Sequence, residues 1–391
     1  MDISVYFEPV DTSLVEIQEK TNQKQFGNLI QIHTEIASFP NIENIDIAII
    51  GVKEDRANVN NSGCADAPDF VRRFLYSLYP GWEHCRIADL GNIKHGYALD
   101  DTYFAVSAVM AELMKNKIIP IIIGGSHDIT YACYNAYTIL NQIINIVSID
   151  SGFDLAETEG EIDSHSYLSK IILQQPNYLF NYTNIGYQTY FVEQDVIKLM
   201  KNLFFDTYRL GKVRDNIAET EPVVRDADIL SIDISSVRMS DAPGNGNTSP
   251  HGFYGEELCQ IVRYAGLSDK ISSIGFFEIN PLLDKNGQTA HLTAHMIWYF
   301  IEGYCSRKNE NPALDSDKFI KYIVTLNDYP EGIIFYKSKK SDRWWMEVNC
   351  VEDNRKKYER HYIVACSYAD YQAACNNDIP NRWWQAFQKL M

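Results

Sequence analysis

Ile118-Ile-Pro-Ile-Ile-Ile-Gly-Gly-Ser-His-Asp128 is the segment on which the reading of this chain turns. An apolar run passes without a charged residue into a Gly-Gly pair and then into His127, the pattern of a strand buried on both faces that ends in a loop. Two later segments repeat the form: Ile143-Ile-Asn-Ile-Val-Ser-Ile-Asp150 continues to Ser-Gly-Phe-Asp154, and Ile229-Leu-Ser-Ile-Asp233 continues to Ile-Ser-Ser236. Polar residues at the C-terminal ends of such strands lie where open α/β sheets bind ligands. Buried carboxylates are costly unless paired, so His127, Asp150, Asp154 and Asp233 on one sheet edge call for a cation among them. One imidazole nitrogen and three carboxylate oxygens form a hard, mixed donor set suited to Mn²⁺, Fe²⁺, Zn²⁺ or Mg²⁺. Taken singly, each residue has an ordinary alternative as a helix-capping Asp or a hydrogen-bonded core His.

Outward from these segments, strand and helix patterns alternate. Strands are expected at 45–50, 85–90, 118–123, 143–149, near 182–186, at 228–234 and at 271–278, with helices at 67–78, 103–115, 129–140, 165–174, 193–201, 255–265 and 289–304. Repeated βα units of this kind imply an α/β fold with a doubly wound, mostly parallel sheet and helices on both faces. Residues 1–44 read as a preamble packed on the main domain, with a strand-like Ile3–Phe7 and a polar, helix-compatible stretch from Asp11. The main domain spans 45–305. An aromatic-rich extension, 306–391, follows the polar linker Ser306–Ala313. It contains a hairpin over 332–348 with a charged turn at Lys337–Asp342, and a helix after Ile379-Pro380. Trp344, Trp345, Trp383 and Trp384 read as residues that pack this extension onto the main domain or a neighbouring subunit, rather than as a cofactor box.

Composition narrows the function classes. The chain has 391 residues, 46% of them hydrophobic and 22% charged, enough to bury a large core. A net charge of −17 argues against nucleic acid and anionic membrane as partners. Eight scattered cysteines without CxxC spacing suit reduced thiols, and no segment has the length or flanks of a signal peptide or membrane span, so a cytoplasmic protein is expected. His291 and His295 stand four apart on an expected helix, but the Glu of a zinc-peptidase motif and a third ligand are missing. Gly244–Phe253 suits a pocket-shaping loop and lacks the features of a phosphate-binding loop.

The order Gly-Gly-x-His, Asp-x-x-x-Asp and Ser-x-Asp, followed by Ala242-Pro-Gly244, resembles the ureohydrolase family of arginases, agmatinases and formimidoylglutamases. Gly51–Asp55, Asn61-Ser-Gly63, Ala67–Arg72, Ala88–Ile93 and Glu278-Ile-Asn-Pro281 extend the resemblance over about 45–304. It implies an arginase-like three-layer α/β/α fold. It also implies that His165 resembles the family's proton-shuttling histidine and Glu278 the carboxylate that pairs with the substrate's cationic group. The read-from-residues alternatives are a surface histidine at a helix start and a salt bridge to an arginine.

Departures from the family pattern are sorted by ion. The family holds two Mn²⁺ ions with Gly-Gly-Asp-His, Asp-x-His-x-Asp and Ser-x-Asp-x-Asp segments. Here Ser126 and Asp128 flank His127 in exchanged order, Gly152 stands where the central His belongs, and Ser235 replaces the last Asp. The equivalents of one ion's ligands, His127, Asp150, Asp154 and Asp233, all remain, whereas both ligands particular to the second ion are gone. The resemblance therefore implies at most one divalent ion per chain, Mn²⁺ before others, or none. Arg238 is a candidate substitute for the missing cation, by pairing with Asp150 and Asp233; its alternative is a solvent-facing loop residue.

Two function classes follow. One is a binding or scaffold protein with a degraded metal centre and weak or absent hydrolysis. The other is a single-metal hydrolase of a C–N bond in a guanidino, amidino or formimino compound. The resemblance further implies a homo-oligomer, trimeric or hexameric.

Overall fold

The computed structural model describes residues 1–19, 22–156, 162–314, 316–327, 329–351 and 355–391. Most of the acidic loop expected at 156–164 lies outside these residues. One large sheet contains β1 (Phe7–Glu8), β2 (Gln31–Ile32), β3 (Ile47–Val52), β4 (Ile87–Ile93), β5 (Ile119–Gly124), β6 (Ile144–Ile149), β7 (Leu179–Tyr187), β8 (Asp206–Arg209), β9 (Ile229–Asp233) and β10 (Ser273–Phe277). Its order is β1-β4-β3-β5-β10-β9-β6-β7-β8, with β2 also on β4. Every pairing is parallel except β1 with β4.

Strands β3, β5, β6, β9 and β10 are buried at every position, which is why they read as unbroken apolar runs instead of alternating ones. Their side chains nonetheless alternate between two cores. Ile47, Ile49, Ile121 and Ile123 pack with helices α2 (Ala67–Leu75), α9 (Gly255–Gly266) and α10 (Gln288–Cys305). Ala48, Ile50 and Ile122 pack with α3 (Leu99–Lys115), α4 (Ile129–Ile139) and α5 (Tyr167–Leu173), completing three α/β/α layers. Helix α2 is also tied to the sheet by a buried ion pair: Arg72 donates to both carboxylate oxygens of Asp89 at 2.8 Å, and Tyr76 donates to the same group at 2.8 Å.

Two details depart from the sequence pattern. Ile3–Phe7 was expected to be a strand, yet Ser4–Tyr6 forms a 3-10 turn and only Phe7–Glu8 pairs with the sheet. The stretch 203–227, unassigned by pattern, contains β8, α7 (Leu210–Asp215) and α8 (Thr220–Arg225), elements of four and six residues that are too short to display a period. Helices α1 (Thr12–Glu19) and α6 (Gln194–Asn202) complete the large sheet's set among the described residues.

The extension is richer than a hairpin and a helix. Strands β11 (Phe319–Leu326), β12 (Tyr329–Ser338), β13 (Trp344–Glu347) and β14 (Ile363–Cys366) form a separate antiparallel sheet with helices α11 (Tyr368–Cys375) and α12 (Asn381–Leu390). Trp344 stacks on Tyr371 at 4.7 Å, and Trp383 stacks on Phe387 at 4.9 Å, so these rings serve the extension's own core. Trp345 covers the Arg225 guanidinium at 4.3 Å, whereas Trp384 is exposed.

Several bonds join the extension to the large sheet's domain. Arg225 donates to the carbonyls of Trp344 and Cys366, His361 Nε2 lies 3.1 Å from the Ile143 carbonyl, and Arg360 pairs with Asp228. Ile143 and Asp228 immediately precede β6 and β9. The extension therefore sits at the N-terminal ends of the strands, while His127, Asp150 and Glu278 follow the C-terminal ends of β5, β6 and β10. Five or six residues of strand separate the two, roughly 20 Å.

Candidate metal centre

Four short connections carry the site. His127 lies between β5 and α4, Asp150 and Asp154 follow β6, Asp233 closes β9 and Glu278 follows β10. Because β5, β10, β9 and β6 are consecutive neighbours, these loops share one edge. One donor atom from each of His127, Asp150 and Asp233 lies within 4.8 Å of the others. Asp154 is not part of that trio but meets it through His127, with its Oδ2 at 3.1 Å from Nδ1, against 3.8 Å for Asp150 and 3.9 Å for Asp233. Asp154 adopts φ +49°, which turns its carboxylate back toward the histidine.

Hydrogen bonding leaves a specific set of atoms unserved. His127 Nδ1, Asp150 Oδ2 and Asp154 Oδ2 are buried without a hydrogen-bond partner; the 3.1 Å approach of Nδ1 to Asp154 is too poorly aligned to count as a bond. The remaining polar atoms are held. Asp150 Oδ1 accepts from Gly152 N at 3.0 Å, and Asp233 Oδ1 accepts from Ser235 N at 2.7 Å. His127 Nε2 lies 2.9 Å from Ser231 Oγ, which is 2.7 Å from Thr130 Oγ1, while Tyr167 OH is 3.4 Å from the same nitrogen. Fixing Nε2 in this way leaves Nδ1 to face the carboxylates, as the outer partners of a metal-bound histidine do.

The donor set fits a divalent ion. Ligands about 2.1 Å from one ion at octahedral or tetrahedral angles lie roughly 3.0–3.5 Å apart; Asp154 falls in that range from Nδ1 at 3.1 Å, and Asp150 and Asp233 exceed it at 3.8 and 3.9 Å. Without an ion, the carboxylates compete for protons. Burial, then the charges of Asp154 and Asp233, pushes Asp150 well above the usual carboxylate range, and burial also raises Asp233. Burial works against Asp154 too, but contacts with His127 and His165 win and hold it low. Burial disfavours charge on His127, yet the three carboxylates outweigh it and raise its pKa to about 9. Such crowding of buried titratable groups is the arrangement found at functional sites, and it makes this cluster the candidate.

Positions 152 and 235 contribute no second set. Gly152 has no side chain, and a Cβ built there would meet nothing within 4 Å, so the space is open. Ser235 is buried beside Asp233 and offers only a neutral hydroxyl. Ser126 and Asp128, the exchanged pair, are both fully buried; Asp128 accepts from Tyr103 OH and sits at the start of α4, outside the trio.

The expected role for Arg238 is corrected. Its Nε donates to Asp241 at 2.8 Å and its guanidinium lies 3.8 Å over the Tyr254 ring, with no ion pair to Asp150 or Asp233. An acceptor three residues away and an aromatic face outcompete a buried acidic cluster that the side chain would have to desolvate to reach. Arg238→Ala is expected to leave Mn²⁺ content per chain unchanged and to alter unfolding free energy by less than about 1 kcal/mol in urea titrations.

His165 and Glu278 flank the cluster. His165 is half exposed, with Nδ1 3.5 Å from Asp154 Oδ1, and that contact raises its pKa. Glu278 is buried and, among the described residues, pairs with no arginine. Its Oε1 accepts from His127 N at 2.8 Å, and its Oε2 accepts from Asn58 and Asn61 at 2.9 and 2.8 Å. Burial, followed by the Asp233 charge, lifts this carboxyl to about 8. Sequence reading passed over Tyr167, Thr130, Asn58 and the partner role of Ser231. Only Ser231 carried a usable signal, since it stands two residues before Asp233 and so on the same strand face. His291 and His295 face each other at 4.4 Å, and His291 stacks on Phe74 at 4.7 Å; neither joins a three-ligand cluster among the described residues.

Comparison with known proteins places this geometry. A family model described as the Arginase family matches residues 45–302. The formimidoylglutamase of Staphylococcus haemolyticus is 25% identical over 315 residues, covering 73% of this chain and 96% of that protein. Its Staphylococcus aureus counterpart is 24% identical over 307 residues, with the same shares. Among solved structures, Trypanosoma cruzi formiminoglutamase with Mn²⁺ superposes with a TM-score of 0.66 at 19% identity, covering 73% of this chain and 99% of that one. Agmatine ureohydrolase of Thermoplasma volcanium gives 0.59 at 20% identity, covering 74% and 98%. The match leaves residues 303–391 outside the family model.

Proposed function

The chain belongs to the arginase family, and on that premise we propose that it is a formimidoylglutamase-like ureohydrolase relative whose centre takes one divalent cation, Mn²⁺ before others, and binds a formimino, amidino or guanidino ligand with strongly reduced hydrolysis. One observation carries this reading. His127 Nδ1, Asp150 Oδ2 and Asp154 Oδ2 are buried without a hydrogen-bond partner, and Nδ1 lies 3.1, 3.8 and 3.9 Å from the Oδ2 atoms of Asp154, Asp150 and Asp233, while positions 152 and 235 bring neither an imidazole nor a carboxylate. The Mn²⁺ of the Trypanosoma cruzi structure supports the choice of metal.

The chain's own groups divide the remaining work. His127, Asp150, Asp154 and Asp233 would hold the ion, which when bound supplies Lewis acidity and lowers the pKa of water. Glu278, in its ionised form, accepts an N–H of the ligand's cationic group. His165, at the half-exposed mouth, is placed to move a proton between solvent and the Asp154 side of the site. Attack on a resonance-stabilised amidinium carbon needs the nucleophile held in line, and the loss of one cation with two ligands is expected to raise the barrier by several kcal/mol.

A second reading, a binding or scaffold protein without turnover, is favoured by the same two positions, Gly152 and Ser235. Metal analysis after dialysis against Mn²⁺ and removal of free ion separates the outcomes. One ion per chain is expected, with Asp154→Asn lowering affinity by roughly 10- to 100-fold. No retained ion at millimolar Mn²⁺ removes the hydrolytic reading and leaves the scaffold.

A further inference from the structure

Glu278 is held by amides, and the pattern of those bonds says which of its oxygens is left for a ligand. The residue follows β10 with φ +67°, a left-handed conformation that a side chain other than Gly, Asn or Asp rarely adopts. Its backbone carbonyl accepts from Asn61 Nδ2 at 2.9 Å and from Asn245 Nδ2 at 2.7 Å, and its N–H donates to Gly125 O at 2.8 Å. Asn61 Nδ2 also donates to Oε2 of Glu278, so a single amide grips backbone and side chain together. Asn61 is itself fixed through Oδ1, which accepts from Asn280 Nδ2 at 2.9 Å and Gly246 N at 2.8 Å. The 244–247 loop can come this close only because residue 246 lacks a side chain; a Cβ there would lie 2.0 Å from the Asn60 carbonyl oxygen.

A carboxylate offers two lone pairs on each oxygen. Oε2 receives Asn58 and Asn61 and is filled, whereas among the described residues Oε1 receives only His127 N. We propose that Asn61 is a positioning residue: it locks Glu278 in its strained backbone conformation and fills Oε2, so that the free lone pair of Oε1, beside His127, is the point at which an amidinium or guanidinium N–H is received. Neutral amides suit this role better than a cation would. An arginine at Asn61 or Asn58 would satisfy the carboxylate in full and weaken its attraction for a cationic ligand. Asn61 is almost fully buried, and its side chain bonds Glu278, Asn280 and Gly246, so an effect on a ligand through Glu278 has to be separated from one through the 244–247 loop.

The inference about ligand contact rests on the function proposed above, and the positioning itself does not. Two measurements keep them apart. In crystals of Asn61→Ala, Glu278 is expected to leave positive φ and its carboxylate to turn away from His127 N. An unchanged Glu278 overturns the positioning role, whether or not the protein binds metal or ligand. Calorimetry with agmatine, and separately with acetamidine, on the Mn²⁺-treated protein gives the second arm. Asn61→Ala is expected to weaken binding at least tenfold in the native background and not at all when Glu278→Gln is already present. Equal losses in both backgrounds would show a general structural effect and sink the proposal. If the native protein binds neither probe, the ligand reading fails, and the crystal arm alone decides the role of Asn61.

Discussion

Gly152→His combined with Ser235→Asp is expected to raise Mn²⁺ content from one ion per chain to two and to increase hydrolysis of N-formimidoyl-L-glutamate by roughly 100-fold or more. The double substitution supplies an imidazole and a carboxylate at the two positions that contribute no ligands. Space exists for the first, because a Cβ at residue 152 meets nothing within 4 Å. The second enters a buried site two residues from Asp233. Each change alone should do less. Ser235→Asp by itself adds a further buried carboxylate to a crowded cluster, and without an added ion it should destabilise the protein by about 1–3 kcal/mol. Metal analysis and anomalous scattering at the Mn edge read the count directly. A well-folded double variant that still holds one ion would show that positions 152 and 235 are not what limits the site.

Metal-free protein should lose stability as pH rises, and Mn²⁺ should remove most of that slope. The sign follows from the proton balance. His127 has a folded-state pKa of about 9 against an ordinary value near 6.5, so its contribution is complete below pH 6.5 and disappears as pH climbs through 9. That term alone is worth about 3 kcal/mol. Glu278, raised to about 8, acts in the same direction from its ordinary value near 4.5 upward, because the folded state keeps a proton that the unfolded chain releases. Asp150 and Asp233, also raised, act the same way from 3.8 upward, so the fall should begin near there and be steepest between 6.5 and 8, where His127 and Glu278 both contribute. An ion bound at Nδ1 takes the proton's place, and at 100 times its dissociation constant adds about 2.7 kcal/mol. Urea unfolding at pH 6, 7, 8 and 9, with EDTA and with Mn²⁺, measures both curves; coincident curves would argue against any ion in this cluster.

Much of this architecture was legible because its inner strands are buried on both faces. Ile118–Ile123 and Ile143–Ile149 have no polar face to confuse the period, and the acidic residues that follow them mark the sheet edge. The short elements β8, α7 and α8 lacked that contrast. In the site, His127, Asp150 and Asp233 could be grouped from their places after strands, but the offset of Asp154 depends on a positive φ that the letter D does not announce. Arg238 misled for a related reason: charge suggested a partner, while the choice was made by Asp241 and Tyr254 nearby. The amides around Glu278 come from three separate segments, so no local spacing could reveal them.

The sheet order also constrains how the chain comes together during synthesis. Strand β10 is the last of its sheet to be made, yet it lies in the middle, joining β5 on one side to β9 on the other. Until residue 277 has left the ribosome, β5 and β9 each present an open inner edge, a template for misassociation with another chain. The connection is long in sequence and slow to close. Fragments ending before Ser273 should therefore aggregate rather than fold to a stable half. Because β10 separates β5 from β9, His127 takes its place beside Asp150 and Asp233 only once β10 has been inserted.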